Sequence, residues 1–570
     1  MKKKLIYISS LCLALAGLPA CEDFLEEKPL DSPTTASFFN TEPEMNVALT
    51  GIYQSLNWDA GSVPYQQLFD HWTDIGLERS PGMAEGTFDV GNANVSNIWN
   101  FAYVTIQRAN TMIAGMEGGQ NNVTPDAYNR MRAEARTLRA WAYYHLAFMY
   151  GDVPLITRPL TNEEFYTQQL TPQAEIIDFL YRELDEAAAV LGWEPKDRGR
   201  MSKAVALGLK ARIALYNGDY QFAADAAKQV IDSGLFGLNP RFQDLFTRAG
   251  QAPNAGKEIL FELLYSDAAQ FPRTYVPLGQ GSRNLGGQSG KFPSQRLVDM
   301  FEATDGKRID ESAVYNPAQP SRNRDLRLKY TVIMPGDTIT HYNTNGPQRA
   351  VYDIYNDNTS FYNFANNTWT MRTNNDKTNP FGPVKNGVGY LWAKYTFNNE
   401  DLFNAKVSWI FMRYAEILLT YAEASIELNR IDASVINAIN TVRQRAKQPV
   451  VDPAIAGDPA EMRQLIRRER TVELALEGFR WFDIRRWKIA ELVMPGKIYG
   501  AALNAASVPA TPNFKTNAVT DLSNIPNYSN SESVRFTRDV RFFDPKHYLF
   551  PIPQRERDLN KTLGQNPLWQ

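Results

Sequence analysis

Apolar residues recur at three- and four-residue spacing through residues 124–151, at Tyr128, Met131, Ala135, Leu138, Ala142, Leu146 and Met149. This period lets an α-helix bury one face. Thr124 and Pro125 supply an N-cap and a proline at the first helical position, and Gly151 stops the helix. Thr171-Pro172 repeats the start signal, and Ile176, Ile177, Leu180, Leu184, Ala187 and Leu191 carry a second apolar face to Gly192. The pattern predicts two antiparallel helices joined by a long loop. Residues 202–234 tighten it into helix, Asn217-Gly218 turn and helix, with Ala211, Ala223, Ala224 and Ala227 where the helices approach. That layout is a tetratricopeptide-type hairpin of about 34 residues. Residues 412–446 repeat it around a turn near Asn429, and an earlier pair, roughly 42–56 and 96–116, brings the count to four. Such hairpins cannot bury their faces alone, so they are expected to stack into a curved scaffold.

Residues 240–405 have another texture, rich in Gly, Asn, Pro and aromatics, with short strand-like pieces at 258–264, 329–334 and 390–397. The expected fold class is therefore mostly α: four helical hairpins as scaffold, with a loop-rich mixed α/β half carrying short strands. Within one domain spanning 41–570, the parts are a helical 41–240, an inserted 241–405, and a 406–570 part holding the last hairpin and the tail.

The N-terminus reads differently. Three lysines precede an apolar run at residues 5–18, too short for a permanent membrane span and typical of a secretory signal. Leu18-Pro19-Ala20-Cys21 resembles a bacterial lipobox, which assigns residues 1–20 to a lipoprotein signal peptide and Cys21 to lipid attachment, with 21–40 as the tether. Ordinary cleavage near Ala20, leaving a thiol, is the alternative. Cys12 lies in the removed segment, so Cys21 has no intramolecular partner. Removal of residues 1–20 takes away three lysines and no acid, moving the formal charge from -3 to -6. With no basic block, nothing points to nucleic acid.

Candidate chemistry was weighed against packing. Glu469, Glu473 and Glu477 fall on one helical face with Asp483 following, a spacing that invites a glycosidase reading. The same segment carries Arg467, Arg468, Arg470, Arg480, Arg485 and Arg486, and arginine partners push carboxyl pKa values down, which suits ion pairs better than acid catalysis. The four histidines, His71, His145, His341 and His547, show no metal-ligand spacing, and His145 reads as core. No phosphate loop or nucleophile elbow is present.

Aromatics make up 12% of the chain, and two stretches interleave them with polar groups as a sugar site requires. The first, 57–80, holds Trp58, Tyr65, Trp72, Asp74 and Arg79. The second, 341–375, holds Tyr342, Tyr352, Tyr355, Phe361, Tyr362 and Trp369 among nine asparagines, including Asn367. Both read as loops. Trp72, Asp74, Arg79, Tyr342, Tyr362, Asn367 and Trp369 are the candidate ligand-binding residues, and no catalytic or metal-ligating residue is assigned. Trp99, Trp141, Trp481, Trp487 and Trp392 read as core. No cofactor is expected, although Asp and Asn oxygens in 341–375 are of the kind a structural calcium ion takes.

Several segments in order then resemble one family: the acidic stretch after Cys21, WNFAYVTIQRAN at 99–110, ARTLRAWAYYHLAFMYGDVPL at 135–155, RYAEILLTYAEA at 413–424, RRERTVELALEGFRWFDIRRW at 467–487, and the 547–567 tail. Together they resemble the SusD-like (RagB/SusD) outer-membrane lipoproteins of Bacteroidetes. The resemblance implies a non-enzymatic, lipid-anchored protein on the cell exterior that binds oligosaccharides or polysaccharides. It would act as the lid of a SusC-type TonB-dependent transporter, with a ligand site built from loops of the N-terminal and inserted halves. The same scaffold also suits capture of peptides for import, and a helical-repeat adaptor for other proteins remains open.

Overall fold

The computed structural model describes residues 38–570 apart from 62, 81, 266–272, 398–399, 513 and 515–524. The signal segment and Cys21 lie outside the described residues.

The long helices are α1 (Glu42–Gln54), α2 (Ala93–Gly119), α3 (Pro125–Tyr150), α4 (Gln173–Val190), α5 (Lys203–Asn217), α6 (Tyr220–Asp232), α7 (Tyr414–Glu427), α8 (Ala433–Arg445), α9 (Pro459–Leu474) and the shorter α10 (Arg480–Arg486). Each packs on its sequence neighbour from α1 to α6. The array then continues across the long insertion, because α6 packs on α7 and α7 on both α8 and α9. Helices separated by some 180 residues are thus adjacent rungs of one scaffold. The starts follow the side-chain logic: the Thr124 hydroxyl accepts from the Ala127 N–H and the Ser202 hydroxyl from the Val205 N–H, caps worth about 1 kcal/mol each. Trp99, Trp141, Trp392, Trp481 and Trp487 are all buried. His145 is buried against Trp58 and Trp141, and burial lowers its pKa to about 3, so it stays neutral as a core side chain.

The insertion departs from the sequence expectation. Strand 258–264 is present as Ile259–Leu263, paired antiparallel with Trp409–Arg413, and so joins the insertion to the scaffold just before α7. Segment 329–334 instead begins as the end of a helix (Leu326–Thr331) and keeps only a two-residue strand, Val332–Ile333, and 390–397 contributes only Leu391–Trp392. Residues 341–375 are not a loop. They belong to a four-stranded antiparallel meander, β1 (Thr338–Asn343), β2 (Gly346–Val351), β3 (Asn358–Asn363) and β4 (Thr368–Thr373), in spatial order β1-β2-β3-β4. Thr344-Asn345 makes the first turn, closed by Gly346 at φ 90°, a conformation glycine adopts without strain.

The 467–487 block is the buried electrostatic centre. Glu473 is bound by Arg327, Arg413 and Arg445, Glu469 by Arg327 and Arg443, and Glu477 by Arg413 and Lys394. Burial alone would raise the Glu473 pKa, but Arg445, Arg413 and Arg327 overcome it and hold the carboxyl well below the usual range. The ion-pair expectation holds with a change of partners: the glutamates use cations from other elements. The block's own arginines reach elsewhere, Arg468 to Glu302, Arg480 to Asp74, and Arg470 and Arg486 to Glu423 and Asp483. Charges so distributed lock the insertion, α7 to α10 and the N-terminal half together.

Candidate functional site

The two stretches that look alike in sequence part company in the structure. In 57–80, Tyr65–His71 forms a short helix and Gly76–Glu78 a strand paired with Lys291–Pro293, and the segment is clamped under α10. Trp72 is 1% exposed, its ring edge-on to Trp481 at 5.9 Å and its Nε1–H donating to Glu78. Asp74 is also buried, accepting from Arg480 Nε at 2.9 Å and Nη2 at 2.8 Å, with Arg296 Nη1 at 3.4 Å. Burial would raise its pKa, but Arg480 and Arg296 hold it below the normal range. Neither side chain can meet a ligand, which corrects the sequence-based expectation: Trp72 packs the core and Asp74 neutralises a buried arginine. Arg79 lies farther out, half-buried, donating from Nη2 to the carbonyls of Gln288 and Ser289 and covering the exposed Phe381 ring at 5.3 Å.

The meander behaves oppositely. Side chains alternate across a strand, and Ile339, His341, Ala350 and Thr359 point into the body, where they are buried. His341 lies so close to Gly281 that a Cβ there would stand 3.0 Å from the imidazole Cε1 and 2.9 Å from Pro277 O, which is why glycine sits beneath the sheet. The other face carries the cross-strand row Thr340, Arg349, Tyr362, Trp369. Trp369 is 46% exposed and meets Tyr362 edge-to-face at 5.2 Å, and Phe364 meets Tyr362 at 4.9 Å. The Arg349 guanidinium, held by its Nε–H to Thr340 Oγ1 at 2.9 Å, lies 5.3 Å from the Tyr362 ring and 5.0 Å from Phe364. The Tyr362 hydroxyl donates to Asn367 Oδ1 at 2.9 Å. Tyr342 shares this face by alternation, one row along, opposite Pro347. Three candidates, Tyr362, Asn367 and Trp369, are in direct contact; Tyr342 is on the same face; Trp72, Asp74 and Arg79 are not part of it.

Arg349, Phe364 and Met371 were missed by sequence reasoning. The signal was present in Thr344-Asn345-Gly346, because the two-residue turn that Gly346 closes fixes the register and hence which residues share a face.

The sheet is anchored at one end. Asp376, just after β4, is buried and accepts from the Ser282 hydroxyl at 2.6 Å, the Arg283 N–H at 2.7 Å and Asn284 Nδ2 at 2.8 Å. Burial pushes its carboxyl up to about 6 against these hydrogen bonds. Asn374 Nδ2 donates to the carbonyls of Asp353 and Asn356 at 2.7 and 2.8 Å. Beside this anchor an open groove of about 440 Å³ is rimmed by Asp353, Asn356, Asp357, Ser360 and Met371. An apolar, ring-sized platform next to carboxylates and amides suits a sugar, whose C–H face stacks and whose hydroxyls hydrogen-bond. Among the described residues no three His, Cys, Asp or Glu side chains converge as a metal site. No helix among the described residues is long and apolar enough to cross a membrane.

The structure thus joins a helical-repeat scaffold, centred on buried glutamate–arginine pairs, to a sheet with an exposed aromatic face. The comparisons specify it further. The family model described as the SusD family matches residues 257–569, and one described as starch-binding associating with outer membrane matches 23–215. The chain belongs to the SusD family. It is 28% identical over 524 residues to SusD-like protein P2 of Formosa agariphila, covering 86% of this chain and 92% of that one. A crystal structure described as a SusD-like carbohydrate-binding protein from Bacteroides fragilis superposes with a TM-score of 0.75 at 27% identity, covering 92% of this chain and all of the other. A laminarin-binding SusD-like protein shares the fold with a TM-score of 0.63 at 19% identity, covering 93% of this chain and all of the other.

Proposed function

We propose that this protein captures oligosaccharides or polysaccharides outside the cell, anchored to the outer membrane through acylated Cys21, and delivers them to a SusC-type TonB-dependent transporter as its lid. The observation that carries the glycan reading is the exposed row of Arg349, Tyr362 and Trp369, with Asn367 on the tyrosine hydroxyl, beside a carboxylate- and amide-rimmed groove. Rings held by cross-strand packing form a rigid platform, so little ordering entropy is lost when a sugar stacks. The description of the Bacteroides fragilis relative as carbohydrate-binding supports the same reading.

The test is affinity electrophoresis of residues 22–570 against plant, host and microbial polysaccharides. Retardation by one of them, lost in Trp369→Ala and Tyr362→Ala but kept in a variant of a remote exposed residue such as Phe222→Ala, is the expected result. Retardation that survives both substitutions would move the site off the meander. No retardation by any polysaccharide, with binding of a peptide library instead, would replace the glycan reading.

A further inference from the structure

A cavity of about 560 Å³ lies on the helical scaffold and shares no residue with the meander. It opens between the α5–α6 turn, α10 and the C-terminal tail. Four cations line it, Arg485, Arg486, Lys488 and Lys546, and no carboxylate does.

These cations are not equally provided for. Arg486 is paired with Glu423 and Asp483. Arg485, one residue earlier and 7% exposed, has no carboxylate partner among the described residues. Its guanidinium is stacked on Trp481, its Nη1 and Nη2 donate to the carbonyls of Trp481 and His547, and its Nε–H has no partner. Arg470 and Arg480 in the same block each hold an acid, so Arg485 is the exception. The buried Tyr216 hydroxyl, on the same cavity wall, is unpartnered as well. Lys488 lies over the Tyr548 ring at 4.5 Å and Lys546 over Trp569 at 4.8 Å, which holds both side chains against the aromatic lining. Of the acids adjoining the lining, Glu423 and Asp483 are taken by Arg486, and Asp544 accepts the Lys546 N–H.

A charge taken out of water without a counterion is costly, and a buried donor without an acceptor adds to that cost. We infer that this cavity is a binding site for a small oxyanion-bearing molecule, a carboxylate, sulfate or phosphate, whose oxygens meet the Lys488 and Lys546 ammonium groups and whose charge offsets that of Arg485 in the cavity wall. The aromatic walls, Tyr216, Tyr548 and Trp569, favour an anion with a carbon framework over a bare inorganic ion.

Isothermal titration calorimetry at constant ionic strength, with residues 22–570, tests this using citrate, inorganic sulfate and inorganic phosphate as separate probes. The expected result is saturable 1:1 binding of citrate with a Kd below about 1 mM, weakened about tenfold or more in the double variant Lys488→Gln/Lys546→Gln. Lys488 is exposed and Lys546 half-buried, so neither substitution opens a void in the core. Trp369→Ala should leave the anion affinity unchanged, which separates this site from the glycan face. A stronger response to sulfate or phosphate than to citrate would assign an ester oxyanion as the ligand group. No saturable heat with any of the three, or equal affinity in wild type and double variant, would overturn the inference.

Discussion

Residues 57–80 and 341–375 both interleave aromatic with polar side chains, yet one is inside the protein and the other faces water. The difference lies in what each polar group finds. Asp70 accepts the N–H groups of Gly478 and Arg480, and Asp74 receives the Arg480 guanidinium, so the first stretch is sewn to the 467–487 block and its aromatics follow it into the core. In the meander the polar groups on the outward face partner one another, Tyr362 with Asn367 and Arg349 with Thr340, and nothing from the body covers them. Aromatic content alone does not distinguish an exposed aromatic face from a core; the location of the counter-charges does.

The largest effects should come from breaking the buried member. Asp74→Ala leaves Arg480 and Arg296 facing an empty carboxylate position and should cost about 3–5 kcal/mol in denaturant unfolding. Trp72→Ala should cost a similar amount, about 3–5 kcal/mol, through cavity formation. Trp369→Ala should stay within about 0.5 kcal/mol of wild type in the same measurement. Equal losses at Trp72 and Trp369 would erase the contrast.

The two regions also differ in how they respond to pH. Asp376, which anchors the meander, has its pKa raised from 3.8 to about 6. The folded state therefore keeps a proton that the unfolded chain has released, and this group's contribution is fully present below pH 3.8 and lost as pH rises to about 6, a change of about 1–3 kcal/mol. Glu423, held by Arg486 and Arg470 in the buried block, is lowered from 4.5 to about 2, so its contribution is present above pH 4.5 and lost as pH falls towards 2. Stability measured from pH 2 to 7 should lose its fall between pH 4 and 6 in Asp376→Asn and its acid-side fall in Glu423→Gln. An unchanged profile in either variant would refute the corresponding assignment.

Much of the scaffold was legible because helix periodicity and caps are local signals: Thr124 with Pro125 and Ser202 start helices where the sequence predicts. The ion pairing of Glu469, Glu473 and Glu477 was legible in kind, because six arginines in one short block imply it. Their partners were not, since Arg327, Arg413 and Arg443 are brought in by the tertiary fold. The meander was read as loop because its strands alternate weakly, with Thr and Asn on both faces, and the turn at Thr344-Asn345, closed by Gly346, outweighs propensity. Trp72 was misplaced because exposure depends on what packs on top, here Trp481 from more than 400 residues away.

Affinity effects on the meander should be smaller than the stability effects in the core. Trp369→Ala should weaken the bound polysaccharide about tenfold, the loss of one stacking surface worth about 1–2 kcal/mol. The finest distinction is Tyr362→Phe, which keeps the ring against Trp369 and Arg349 and deletes only the hydroxyl that holds Asn367. The deleted hydrogen bond is exposed, so the unfolding free energy should move by no more than about 0.5 kcal/mol. A loss of about threefold in polysaccharide affinity, about 0.7 kcal/mol, is expected because Asn367, freed from the phenol, no longer presents its amide in one orientation to a sugar hydroxyl. Full affinity in Tyr362→Phe together with its loss in Tyr362→Ala would show that the ring alone makes the platform and that Asn367 does not contact the sugar. A loss in Phe as large as in Ala would instead place the tyrosine hydroxyl itself on the ligand.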